Sequence, residues 1–62
     1  MPNNYHEQAH NAGEKLVICE ITYDEMLLLI EELVADYGED EREEIETLVA
    51  QAMLATARDI KG

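Results

Sequence analysis

One glycine constrains this chain more than any other residue. Gly38 stands between two apolar stripes of helical period, so the chain must turn there. Before it, Tyr23, Met26, Leu27, Ile30, Leu33, Val34 and Tyr37 recur at three- and four-residue steps, with Leu29 widening the stripe. After it, Ile45, Leu48, Val49, Ala52, Met53, Thr56 and Ile60 do the same. Thr22-x-x-Glu25 forms a capping box at the head of the first stripe, and Asp40-x-x-Glu43 repeats the signature before the second. The spacing predicts a helix over 23–37, a left-handed glycine cap at Gly38, and a helix over 40–60.

Upstream, Lys15 to Ile21 read KLVICEI, a short run rich in β-branched and apolar residues. A strand over 15–21 is expected, with Val17, Cys19 and Ile21 on one face. Residues 1–13 are polar and read as a mobile N-terminal arm; 14–62 read as one strand-helix-helix domain. The class is mainly α. One strand cannot pair its own backbone, so the simplest arrangement is an intertwined homodimer with strands paired across a two-fold axis. Leu28 and Leu54 fall off the apolar stripes and suggest further contacts. Val17, Cys19, Ile21 and Leu54 are the candidate dimer-interface residues. A chain of 62 residues buries only about 60% of its unfolded surface, so a partner subunit would also support a marginal core. Intramolecular disulfides are excluded because Cys19 is the one cysteine. It reads as a small buried hydrophobe in a reducing, cytoplasmic setting.

The order strand, capped helix TYDEMLLLIEELVADYG, and second helix opening EDEREEIETLVAQAM resembles the ribbon-helix-helix family over Lys15 to about Arg58. The resemblance implies a dimeric two-stranded ribbon and a transcriptional repressor or antitoxin. The family's ribbon reads DNA with polar or basic side chains, and its second helix offers its N-terminus to phosphate. Here the ribbon positions carry Lys15, apolar residues and Glu20, and the second helix begins Glu39, Asp40, Glu41, Arg42, Glu43, Glu44. Carboxylates already occupy the place phosphate would take.

Charge points to a different partner. The chain carries 15 acids against 4 bases, for a net charge of −11. Between Asp24 and Glu46, Arg42 is the one base. Such a surface repels nucleic acid and anionic membranes and attracts basic protein surfaces. Part of the acidity follows from helix stability, since acids suit helix N-termini and Arg58 and Lys61 suit a C-terminus. The expected function is a non-enzymatic interaction protein that imitates DNA and inhibits a basic-surfaced protein, in the style of phage inhibitors of host functions. Its partner-binding residues would be Asp24, Leu28, Glu31, Glu32, Tyr37, Glu39, Asp40, Glu41, Glu43 and Glu44.

Enzyme chemistry finds little support. HEQAHNAG, from His6 to Gly13, fits the H-E-x-x-H zinc pattern, which on a helix places two imidazoles on one face. Catalytic zinc requires a third protein ligand, and the metzincin spacing would place a histidine where Leu16 stands. His6 and His10 remain a two-histidine metal candidate. DYGEDEREEIE lies between helices as a calcium loop does, but its glycine is misplaced for an EF-hand. The chain contains no serine and no phosphate-cradling glycine loop. No cofactor is expected.

Overall fold

In the computed structural model, residues 5–61 are described. They form three helices: α1 (Tyr5–Val17), α2 (Tyr23–Tyr37) and α3 (Arg42–Lys61), with one 3-10 turn (Glu39–Glu41) between α2 and α3. The class is mainly α, but no strand occurs among the described residues. The expected strand over 15–21 is therefore replaced. Lys15, Leu16 and Val17 are the last turn of α1, and the rest of KLVICEI is the connection to α2.

The backbone explains why the run does not extend. The Glu20 amide bonds the Lys15 carbonyl at 2.8 Å, and the Cys19 amide bonds the Leu16 carbonyl at 3.1 Å. These are the two bonds of a Schellman motif, which uses up the carbonyls at the end of a helix. Cys19 holds the left-handed position, with φ 66°. The thiol is exposed, so Cys19 is not the buried hydrophobe expected of it. The described residues offer no strand for a two-stranded ribbon across a dimer axis, so the strand-paired homodimer expected from the sequence does not form.

α1 also corrects the arm expected over 1–13. From Tyr5 onward those residues are helical, and Tyr5, Ala9, Ala12 and Gly13 are buried. Residues 1–4 of that arm, and Gly62, lie outside the described residues. Beyond Tyr5, the buried face of α1 is made of the small residues Ala9, Ala12 and Gly13, and this lets α1 approach α3 closely. A Cβ added at Gly13 would stand 2.5 Å from the Val49 carbonyl oxygen and 2.9 Å from the Ala52 Cβ.

α2 begins where its capping box indicates. The Thr22 hydroxyl accepts from the Glu25 amide at 3.2 Å, and the Glu25 carboxylate accepts from the Thr22 amide at 2.8 Å. Ile21 precedes the cap and packs against the core, at the position of a hydrophobic staple to Met26. The second expected box, Asp40 with Glu43, does not form. No side chain caps the 3-10 turn, and α3 starts only at Arg42.

The core is built from all three helices: Tyr5 and Ala9 from α1, Met26, Ile30, Leu33 and Val34 from α2, and Ile45 and Val49 from α3. Tyr5 lies beside Glu41, and Gly13 lies beside Val49 and Ala52. α1 and α3 therefore pack directly against each other and run in the same direction, with α2 running back the opposite way. Every buried side-chain polar atom among the described residues has a partner.

Candidate protein-interaction surface

The turn after α2 creates the most charged part of the molecule. Gly38 adopts φ 106° and ψ 154°, and its amide bonds the Val34 carbonyl at 2.7 Å. This is not the left-handed cap expected from the sequence. It is the extended positive-φ region, open in practice only to glycine. The chain then tightens, as the Glu41 amide bonds the Gly38 carbonyl at 3.0 Å. One 3-10 turn and the first turn of α3 follow at once. Glu39, Asp40, Glu41, Glu43 and Glu44 are thereby gathered on one shoulder at the end of the bundle.

Arg42 organises that shoulder. Its guanidinium is bidentate to Glu31 of α2, at 2.7 and 3.0 Å, and bidentate to Glu39, at 2.9 and 2.8 Å. Glu46 lies 3.8 Å away on the next turn of α3. Hydrogen bonds and charge from Arg42 hold the carboxyls of Glu31 and Glu39 below their ordinary range. The same two carboxylates push the guanidinium further towards its charged form. The one base of the acidic segment is thus consumed internally.

Tyr5 secures the other side of the turn. Its hydroxyl donates to Glu41 Oε1 at 2.6 Å, and this bond, with burial and the nearby charges of Glu41 and Glu44, pushes its pKa up to about 12. Its ring meets Tyr37 edge-on at a centroid distance of 5.1 Å.

The ten expected partner-binding residues therefore separate by environment. Asp40, Glu43 and Glu44 are exposed and make no side-chain hydrogen bond or ion pair among the described residues. Glu31 and Glu39 are exposed but held by Arg42, while Glu41 is half-buried under Tyr5. Tyr37 is partly covered by its contact with Tyr5. Glu32 lines a small cleft against α1 with Gln8, Leu29, Leu33 and Asp36. Asp24 lies in the first turn of α2, at the far end of the bundle from Glu39 to Glu44. Leu28 is 63% exposed.

The four expected interface residues also divide. Val17 and Leu54 come together with Ala50, Met53 and Ala57 around an open apolar groove of about 490 Å³. Cys19 faces solvent on the α1–α2 turn, and Ile21 is half-buried against the core. A second groove of about 400 Å³ adjoins the first at Ala50 and Met53 and is walled by Tyr23 and Leu27 of α2. Tyr23 and Leu27 belong to the apolar stripe of α2, yet both are exposed. The stripe is wider than the core it serves, and the surplus faces this groove.

His6 and His10 both lie exposed on α1, one helical turn apart. His6 packs edge-on to Tyr5. No group of three or more histidine, cysteine or carboxylate side chains converges as a metal site among the described residues. None of the helices described is long and apolar enough to cross a membrane.

No family model, curated protein or solved structure matches this chain. Tyr5 and Arg42, which hold the shoulder together, were not singled out by sequence reasoning. Arg42 carries a signal, as the lone base within an acidic run; Tyr5 carries only its helical spacing to Ala9 and Ala12.

Proposed function

We propose that the chain is a non-enzymatic, acidic interaction protein whose shoulder around Gly38 docks on the basic surface of another protein and competes there with nucleic acid. The observation that supports this reading best is the state of Arg42. With that guanidinium shared among Glu31, Glu39 and Glu46, no side-chain cation remains between Asp24 and Glu46 to pair with Asp40, Glu43 and Glu44. The turn also holds its carboxylates on short, internally bonded backbone. A basic partner would therefore meet a preformed anionic surface with little ordering left to lose. Such a field steers encounter with cations and repels duplex DNA.

A ribbon-helix-helix repressor or antitoxin has less support, because the described residues contain no strand to enter a groove of DNA. The two readings are separated by a mobility shift with duplex DNA at about 50 mM salt, where non-specific phosphate binding is strong. The chain is expected to leave the duplex unshifted. When immobilised, it is expected to retain basic proteins from lysate of its source cell and to release them to added duplex. Saturable binding of the duplex by the chain itself contradicts the proposal.

A further inference from the structure

The outer face of α3 is apolar at its centre and charged at both ends. It lies opposite Ala52, which is buried against the rest of the bundle. At three- and four-residue steps it presents Glu43, Thr47, Ala50, Leu54, Ala57 and Lys61, all exposed. Leu54 is 62% exposed and borders the groove next to Val17 and Met53.

We propose that this face is a homodimer interface in which α3 lies antiparallel to α3 of a second copy about a two-fold axis. In such a pair, residues equidistant from Ala52 along the helix face one another. Ala50 then meets Leu54 of the second copy, so each leucine fills the space above a small residue. Thr47 meets Ala57, and Glu43 meets Lys61, which leaves Asp40 and Glu44 as the carboxylates open to a basic partner. Large meets small and acid meets base, twice over, as an isologous contact requires.

Charge also selects the orientation. α3 carries Glu43 and Glu44 in its first turn and Arg58 and Lys61 in its last. Neither Arg58 nor Lys61 makes an ion pair among the described residues. A parallel pair would stack acid on acid and base on base; the antiparallel pair joins opposite ends. A uniformly basic occupant would instead meet Arg58 and Lys61, which disfavours this face as the docking site for a basic partner. Tyr23 and Leu27, exposed on α2 beside the adjoining groove, extend the apolar contact.

Sedimentation equilibrium of the full chain, from micromolar to submillimolar concentration, tests this with no other protein present. The expected mass is twice 7.1 kDa. Leu54→Glu is expected to weaken the dimer by at least about tenfold, while circular dichroism stays helical because the residue is exposed. Glu43→Lys provides a second test. It moves the net charge two units towards zero, so overall repulsion alone would tighten the dimer. Facing Lys61 across the interface, it should instead loosen it by about threefold or more. The double variant Glu43→Lys with Lys61→Glu should restore wild-type association. A monomeric wild type across the range, a helical Leu54→Glu variant that still dimerises fully, tightening by Glu43→Lys, or a double variant no better than the singles would each overturn the proposal.

Discussion

The Tyr5 hydroxyl donates a 2.6 Å hydrogen bond to the Glu41 carboxylate, joining the first turn of α1 to the 3-10 turn before α3. The bond needs the phenol protonated, which is why its pKa is pushed up to about 12. A raised folded-state pKa gives stability that is complete below the unfolded value of about 10 and lost as pH rises to about 12. Tyrosinate absorbance should show one phenol ionising late, near the upper end of that window. Tyr5→Phe should abolish that phase and lower the thermal midpoint at neutral pH. A wild-type titration curve lacking any late component would contradict the hydrogen bond.

Gly13→Ala distinguishes a docked α1 from a free one. In a solvated helix, alanine is favoured over glycine by about 1 kcal/mol. Here the added methyl would meet the Val49 carbonyl oxygen at 2.5 Å, and backbone cannot yield as a side-chain tip can. Overpacking of this kind typically costs about 1–3 kcal/mol. Urea unfolding should therefore show a less stable variant, and a stabilised one would mean that α1 does not seat on α3 as described.

Two turn residues should respond with opposite signs. Cys19 is a non-glycine residue at φ 66°, and L-residues bear about 1–2 kcal/mol of strain there. Cys19→Gly should relieve part of it and raise stability by up to about 1 kcal/mol, less the added unfolded-state entropy. In a strand the same change would weaken the protein. Gly38→Ala should destabilise by about 1–3 kcal/mol although nothing lies within 4 Å of the new methyl, because φ 106° with ψ 154° suits glycine alone. Thermal melts of the two variants give the signs directly.

These sites also show how far the sequence could be read. α2 was legible because Thr22, Glu25 and the large side chains after them state a helix in two independent ways. α1 was not, because its buried stripe is Tyr5, Ala9, Ala12 and Gly13, and small residues carry little hydrophobic signal. The helical spacing from Tyr5 through Ala9 and Ala12 to Leu16 was present in the letters. KLVICEI carries the stronger signal, but its β-branched residues span the end of a helix and its cap instead of a strand. For the interaction surface, the acidic segment was visible as composition. That Arg42 closes on Glu31 and Glu39, leaving Asp40, Glu43 and Glu44 unpaired, depends on the turn at Gly38 bringing α2 and α3 together, which composition cannot convey.

Removal of Arg42 tests that division. Glu31 and Glu39 titrate below their ordinary 4.5 because of it. Depressed carboxyl pKa values give stability that is present above the unfolded value and lost as pH falls through the folded one. Wild-type stability should therefore decline as pH drops below about 4.5. Arg42→Gln should already be less stable at neutral pH, where Glu31, Glu39 and Glu46 would repel. The gap between the two proteins should narrow in acid as those carboxyls protonate. A gap that is constant from neutral pH into strong acid would show that Arg42 acts by packing alone.

Competition between this chain and duplex DNA for one basic protein measures the proposed function most directly. Labelled duplex bound to a protein captured from the source cell would be followed by fluorescence anisotropy, at about 50 and about 200 mM salt. Wild type should displace the duplex, with the competing affinity falling at the higher salt. The variant combining Asp40→Asn and Glu44→Gln, which leaves Glu43 to the α3 contact, should compete at least about tenfold less well. A duplex that stays bound at saturating wild-type protein, or a double variant that competes as well as wild type, would contradict the assignment of the Gly38 shoulder as the docking surface.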